Sequence, residues 1–546
     1  MPMPPNVTAA QWNAALKAFR SAVGEEWTFT SVKDVALYRD PYSPVWGEAE
    51  ERLISAALAP KSVEEVQAIV RIANQFGIPL YPISTGKNLG YGGPAPNLSG
   101  SVVVDLKRMN KVIEVDDRRH FAIVEPGVSY FDLHRHIRDR NLKVWIDCPD
   151  PGWGSVVGNA LDHGVGWTWG QYKDHFWAHC GLEVVLPNGE LLRTGMGAMP
   201  GAKTSADFRY GYGPYVDGLF SQAGFGIVTK MGIHLMPEPE AFLRKVVTVP
   251  RRQDIIPLVE ITGALESSGI IGTPIFDSQL FYAQMADPAL RQIASSPDVW
   301  NGNAADRYAA EKGLPSWQVG LNFYGPPEIN EAKWQYAKSK IEKAIPGARY
   351  EGKESLRFPL SAEAQDAVHY KGEVGIPNLG VFSVGARSPY WPGNPTDGHL
   401  FFSPIVPRTG EEFLKAQRIF AEGMRSGGVD HNAALGPFGY GPFTVPFTFT
   451  RAFVLVGIIP VSRSDPEVNK RSRDAMRHLI ALGAKHGYGE YRTAPAFQDQ
   501  VMGTYDFNDN ALRRFCETLK DAVDPKGIIS PGRGGFWPRS IRKAVK

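Results

Sequence analysis

Residues 81–93 read YPISTGKNLGYGG, an apolar start that gives way to small and flexible residues around Lys87 and Tyr91. Glycines leave backbone N–H groups unobstructed, and a run of such groups lining a concavity binds an anion such as a pyrophosphate without help from a helix dipole. Two familiar phosphate loops are excluded by spacing. A Walker A loop needs glycine five positions before its Gly-Lys pair and Ser or Thr after it, whereas Gly86-Lys87 has Tyr81 and Asn88 there. GYGGPA fits GxGxxA, yet Pro94 and Pro96 fall where the dinucleotide-binding helix must begin. Two further stretches, GWGSVVGNALDHGVGWT (152–168) and GLFSQAGFGIVT (218–229), repeat the texture. Three such loops suggest a long cofactor threaded between them.

The histidines invite a metal reading that their spacing rejects. His134 and His136 are two apart and cannot face one ion from a helix, and no carboxylate or cysteine cluster joins them to His163, His175 or His179. No metal is expected.

The elements that must hold these loops are legible in part. Ser62 and Glu65 form a capping box ahead of a helix whose apolar face is Val63, Val66, Ile69, Val70 and Ala73. IPLYPIS, SGSVVVDL, KVIEV and FAIVEPG read as short strands and SYFDLHRHIRDR as a helix. LEVVLPNGELLRTG reads as a hairpin, with Asn188-Gly189 supplying positive φ at the turn. Beyond MPEPEAF (236–242) the texture changes to long helical patterns such as EINEAKWQYAKSKIEKAI and strands such as WQVGLNFYG and HLFFSPIV. GPFGYGPFTVPF (436–447) is the most loop-like stretch there. The glycine- and proline-rich AVDPKGIISPGRGGFWP cannot form a core of its own and is expected to pack back on the first domain. The expected fold class is α+β without regular βαβ alternation, divided into an N-terminal segment (1–49), a first domain (50–240), a second domain (241–490) and a returning C-terminal segment (491–546).

Composition bounds the function. The 546 residues exceed the roughly 250–300 that one core can serve, so two domains are expected. The 59 basic and 57 acidic residues nearly cancel, which argues against nucleic acid or an anionic membrane and for a small-molecule partner. Cys148, Cys180 and Cys516 show neither a CxxC pair nor a disulfide rhythm, which suits a reducing compartment. The first 24 residues lack a signal-peptide pattern, and the longest apolar run, AFVLVGIIPV (452–461), is too short to span a membrane. A soluble cytoplasmic protein is expected.

PISTGKNLGYGG, PDPGWGSVVGNALDHGVG, GLFSQAGFGIVT, GHLFFSP and GYGEYRTAPAFQDQVMGTYDFN together resemble the vanillyl-alcohol oxidase and p-cresol methylhydroxylase family of flavoproteins, from about residue 50 to Pro538. The resemblance implies a p-cresol methylhydroxylase-type FAD-binding domain, an α+β cap over the flavin, and a homodimer or higher oligomer. It implies oxidation of para-substituted phenols at the benzylic carbon, through hydride loss and a p-quinone methide. It implies FAD held by Ser84, Thr85, Gly86, Lys87, Asn88, Gly90, Gly92 and Gly93 of the first loop, Ser155, Gly158 and Asn159 of the second, and Gly226 and Ile227 of the third. His399 falls where family oxidases bond the flavin to a histidine, whereas the methylhydroxylase uses a tyrosine, so a covalent histidyl-FAD is implied. O₂ is the expected electron acceptor. A cytochrome acceptor is the first alternative; a sugar or 2-hydroxy acid as substrate, or flavin binding without catalysis, are the others.

A phenol has a pKa of about 10, so its oxidation at neutral pH needs a site that favours phenolate. Tyr91, Tyr491 and Arg492 match the family residues around the phenol oxygen, where one fixed cation and two hydroxyl donors would do this. Tyr491 and Arg492 are adjacent, and on a regular strand they would point to opposite faces, although Gly487 and Gly489 make an irregular backbone plausible. Asp150 matches the aspartate near flavin N5, implying a base toward water or a tuner of the flavin, with Asp147 its nearest competitor. Phe401, Phe402 and Trp167 are expected to line the substrate pocket. Trp167 replaces the tyrosine usual in related oxidases, losing a hydroxyl.

Overall fold

A computed structural model describes residues 1–294, 304–379, 397–427, 446–449 and 451–545. Most of the loop-like stretch 436–447, singled out above, lies outside the described residues.

The first half is built on two sheets. In one, Thr28–Phe29 pairs antiparallel with Ala56–Leu58, which runs parallel to Val102–Asp105, which in turn runs parallel to Leu80–Ile83. The helix Val63–Phe76 connects two of these parallel strands, so one βαβ crossover does occur. It buries Val66, Ile69, Val70 and Ala73, with roughly 1.5–3 kcal/mol for each large aliphatic side chain. Ser62 caps it by accepting from the Glu65 N–H, but the Glu65 carboxylate takes the Lys61 N–H instead of that of Ser62 (2.8 Å), so the expected box is completed one residue earlier. The N-terminal helix Ala9–Val23 adds Ala15, Phe19 and Val23 to the same core, and Ile528 and Ile529 join it from the far end of the chain.

The second sheet is antiparallel throughout, in the order Val112–Asp116, Phe121–Val124, Ile227–His234, His179–Val185, Leu191–Arg193. The hairpin forms as expected, but only Gly189 takes positive φ (84°). Its N–H closes a turn on the Leu186 carbonyl at 2.8 Å, because Pro187, with φ fixed near −65°, suits a three-residue turn ending in a left-handed glycine better than a two-residue one.

The second half carries a four-stranded antiparallel sheet, Ile275–Ser278, Trp317–Gly325, Ala241–Val249 and Arg349–Arg357, against which the helix Pro327–Ala344 packs, with Ile255–Ser267 beside that helix. HLFFSPIV is not one strand. Asp397–Phe402 pairs with Gly457–Ser462, and after a break at Ser403-Pro404 the strand Ile405–Pro407 joins another sheet. Pro404 has no N–H for a ladder, and the Ser403 N–H goes to the Glu490 carboxylate at 2.7 Å.

Buried charges tie the parts together. Lys520 donates to the carbonyls of Gly224 (2.5 Å) and Ile529 (2.5 Å) and to Asp524 (2.7 Å), pinning the last segment to the third glycine loop. Glu266 receives Lys173 at 2.5 Å and also pairs with Arg408, joining the two halves. Among the described residues no helix is long and apolar enough to cross a membrane.

Candidate active site

The first loop leaves the strand Leu80–Ile83 and turns back on itself, the Asn88 carbonyl accepting from Tyr91 (3.2 Å) and Gly93 (3.0 Å). Gly86, Gly90, Gly92 and Gly93 all have positive φ, which residues with a Cβ adopt at a cost. Two of these glycines are needed for contact with protein. A Cβ on Gly90 would sit 2.7 Å from a Phe401 ring carbon, and one on Gly92 would sit 2.4 Å from Pro495. The loop is thereby pressed against the strand Asp397–Phe402 and the segment after Arg492, with Tyr91 between them.

Tyr91 is buried. Its hydroxyl lies 2.8 Å from Ser403 Oγ and its ring 5.0 Å from Phe401, while the Arg492 guanidinium stands over it at 4.0 Å. The same guanidinium lies 5.2 Å from the Tyr491 ring. Residues 488–494 form no regular strand. A bridge at Glu490 and a bend at Tyr491 remove the alternation that would have separated Tyr491 from Arg492. Burial raises both tyrosine hydroxyls above their ordinary range, with Arg492 pulling the other way. Burial opposes the Arg492 charge, but the Asp162 carboxylate and the faces of the two tyrosine rings favour it, and the guanidinium stays protonated.

Strand alternation places His399 and Phe401 on one face, with ring centroids 4.5 Å apart. Phe402 is a correction to the expected pocket. It points to the other face, 1% exposed, and packs on Phe420 in the core of the second half. His399 is buried beside Tyr42, ring to ring 5.0 Å, and its Nδ1 has no hydrogen-bond partner among the described residues. Burial lowers its pKa to about 4, so the imidazole is neutral. Trp167 packs over Gly372, where a Cβ would meet its ring at 2.7 Å.

Asp150 stands in a turn held by the Gly152 N–H donating to the Asn378 carbonyl at 2.8 Å. Burial raises its pKa to about 6, and its Oδ1 has no partner among the described residues. Asp147, its competitor, is fully engaged. It accepts from the Thr168 N–H (2.7 Å) and hydroxyl and pairs with His175 Nε2 (2.7 Å).

Residues of the other two loops are held by contacts within the protein. Ser155 spends its hydroxyl capping the helix Val156–Leu161, accepting from the Gly158 N–H (3.0 Å) and donating to the Pro126 carbonyl (2.6 Å). Asn159 Oδ1 lies 2.5 Å from His175 Nδ1. Ile227 is in the core, and a Cβ on Gly226 would strike Val184 at 2.5 Å. A Cβ on Gly158 would fall 2.2 Å from Ser84 Oγ, so the first and second loops meet backbone to side chain with no room to spare. The glycine-rich first loop, with the Nδ1 of His399, partnerless among the described residues, on the strand packed against it, fits a flavin dinucleotide. Lys87 Nζ is 5.7 Å from the Trp153 ring centre. Among the described residues no cluster of His, Cys, Asp or Glu could hold a metal ion.

The sequence reading missed four residues around Arg492. Ser403 touches Tyr91. Glu490 accepts from the Ser403 N–H, has a second oxygen without a partner among the described residues, and is held by burial well above the usual carboxylate range. Asp162 lies 3.7 Å from Arg492 and 2.7 Å from Arg533, whose guanidinium also reaches the Tyr81 hydroxyl at 3.3 Å. The adjacency of Glu490 to Tyr491 was the one available signal. Asp162 and Arg533 are 371 positions apart and carry none.

Comparison with known proteins decides the family. Residues 54–195 match a family model described as an FAD binding domain. The chain is 33% identical to the flavoprotein subunit of 4-cresol dehydrogenase (hydroxylating) from Pseudomonas putida, over 98% of this chain and 97% of that one. It belongs to the vanillyl-alcohol oxidase and p-cresol methylhydroxylase family. Among solved structures, 4-ethylphenol oxidase from Gulosibacter chungangensis in an isoeugenol complex matches with a TM-score of 0.83 and 33% identity, covering 99% of this chain and all (100%) of that one. p-Cresol methylhydroxylase with substrate bound matches equally well, with a TM-score of 0.83, 31% identity and 98% of each chain covered. The fold is therefore that family's: α+β, with an FAD-binding domain of the p-cresol methylhydroxylase type and an α+β cap.

Proposed function

We propose that this protein oxidises para-substituted phenols at the benzylic carbon, with FAD held by the backbone of residues 84–93, 155–159 and 224–227. In this reading residues 50–240 and 491–546 bind the cofactor and residues 241–490 cap it. The observation that carries the proposal is the Arg492 guanidinium set over two tyrosine rings, its Nε without a partner among the described residues. A phenol oxygen placed there gains a fixed cation and two hydroxyl donors, which lowers the cost of its ionisation. Either Tyr91 or Ser403 can donate in their mutual bond. With Ser403 donating, the Tyr91 O–H is left for the substrate oxygen, and the tyrosine is eased toward donation.

Bound FAD supplies the acceptor for hydride from the benzylic carbon. Asp150, poised near pH 6, takes a proton from water adding to the oxidised substrate when water is the nucleophile. Phe401 packs on Tyr91, ring to ring 5.0 Å, and holds the tyrosine in place under Arg492. His399, neutral and with Nδ1 available, is the proposed covalent attachment point of the flavin.

The relatives divide on the electron acceptor, one named a dehydrogenase and another an oxidase. The histidine at position 399 favours O₂, with hydrogen peroxide as product. The test is anaerobic mixing of the holoenzyme with a panel of 4-alkylphenols and 4-hydroxybenzyl alcohols, followed by admission of air. Bleaching of the flavin and rapid reoxidation are expected. No bleaching across the panel refutes phenol oxidation, and bleaching followed by very slow reoxidation transfers the assignment to a dehydrogenase serving a protein electron carrier.

A further inference from the structure

Asp162 follows the last turn of the helix Val156–Leu161, where its N–H is held by the Gly158 carbonyl at 3.2 Å. Three parts of the chain converge on it. Its Oδ1 takes Arg533 Nη2 at 2.7 Å, its Oδ2 takes Asn88 Nδ2 at 2.5 Å, and its backbone carbonyl takes Arg492 Nη1 at 3.3 Å. Arg492 Nη1 is also 3.7 Å from Oδ2, and all three side chains are largely buried, at 11–17% exposure. One carboxylate thus serves two guanidinium groups. We propose that Asp162 is a positioning residue that aims Arg492 at the substrate oxygen and, by sharing one negative charge between Arg492 and Arg533, leaves the pocket with a single net positive charge to meet a single phenolate. The inference rests on the phenol reading above.

The charge count depends on the neighbours. Facing Arg492 are Tyr91, Tyr491, Glu490, Asp162 and, at longer range, His163 and Arg533. Burial pushes Glu490 toward its neutral form, against the pull of Arg492, with which it forms no ion pair, and burial likewise favours the protonated tyrosines. His163 is pushed toward its neutral form by burial. Arg492, Arg533 and Asp162 remain as the charged set.

Asp162→Asn removes one negative charge 3.7 Å from the guanidinium proposed to meet the phenol oxygen, while keeping the side chain's shape. Two point charges at such range and an effective dielectric of about 20 interact strongly enough to move an ionisation midpoint by roughly one unit or more. Arg533→Gln removes a positive charge from the other end of the set and must act in the opposite sense. The probe is 4-hydroxybenzaldehyde bound to the holoenzyme, because its phenol and phenolate forms absorb at different wavelengths. The midpoint for its ionisation in the bound state is expected below that of the free phenol in the wild type, lower by about one further unit in Asp162→Asn, close to wild type in Asp162→Glu, and higher in Arg533→Gln. A role in folding alone would weaken binding or lower stability without moving the bound midpoint in opposite directions. Unmoved midpoints in both charge-removing variants, or shifts of the same sign, overturn the inference. If Asp162→Asn does not fold, the sign in Arg533→Gln decides. A wild-type enzyme that binds the probe only as the neutral phenol refutes the phenolate reading itself, which separates the two failures.

Discussion

Replacing Tyr91 by Phe deletes one hydroxyl from the middle of the site and little else. The ring keeps its place 5.0 Å from Phe401 and under the Arg492 guanidinium at 4.0 Å, so the loop and the flavin content should persist. What is lost is a donor toward the substrate oxygen and the 2.8 Å bond to Ser403. Loss of one donor to a developing oxyanion costs ~10²–10³ in rate, and because Arg492 and Tyr491 remain, the lower end applies, about 2.7 kcal/mol. Ser403→Ala removes only the partner behind Tyr91 and should cost ~0.5–1.5 kcal/mol, or roughly 2- to 12-fold. Because Ser403 acts through Tyr91, the double variant should be no slower than Tyr91→Phe, a non-additivity that marks one shared path. The assay is the rate of anaerobic flavin bleaching by a 4-alkylphenol, which does not depend on the electron acceptor. Tyr91→Phe within threefold of wild type, or full additivity in the double variant, refutes the reasoning.

Three further outcomes follow from the same geometry. Asp150 has its pKa raised from 3.8 to about 6, so the folded protein favours the protonated acid. Its contribution to stability therefore grows as pH falls from about 6 toward 4, the reverse of an ion-paired carboxylate, while its capacity as a base is lost over the same range. kcat/KM for a substrate that needs water addition should fall below about pH 6, and Asp150→Asn should abolish that acid limb; a limb that survives the substitution assigns it elsewhere. Acid precipitation of the wild type should leave the yellow colour in the pellet and His399→Ala should release it, whereas colour wholly in the wild-type supernatant rules out the covalent link. Gly90 and Gly77 both have positive φ (82° and 69°), but a Cβ on Gly77 meets nothing within 4 Å and one on Gly90 meets Phe401 at 2.7 Å. Gly77→Ala should cost ~1–2 kcal/mol and Gly90→Ala ~2–5 kcal/mol with loss of phenol oxidation, read from unfolding midpoints and bleaching rates; equal costs would falsify the packing role.

The sequence by itself determined a good deal about this protein. A period-3.6 pattern fixed the helix Val63–Phe76, and β-rich composition the short strands around it, because local propensity and burial agree there. Glycine-rich texture pointed to a cofactor cradle, and the blocks around Tyr91, Asp150, His399 and Tyr491 led to the family. Alternation along HLFF even contained the correct answer for Phe402, since a residue beside Phe401 on a strand must face the other way. Only the tertiary structure decided the rest. Gly90 and Gly92 resemble phosphate-loop glycines in sequence, yet they are small because Phe401 and Pro495 lie against them. The Ser155 hydroxyl is taken up by a helix cap and Asn159 Oδ1 lies against a buried histidine, contacts that the sequence does not announce. HLFFSPIV breaks at Ser403 because the Ser403 N–H is claimed by a carboxylate from Glu490, 87 residues away. Asp162, Arg492 and Arg533 share charge across hundreds of positions, and a Coulomb interaction between residues so distant in the chain leaves no local pattern to read.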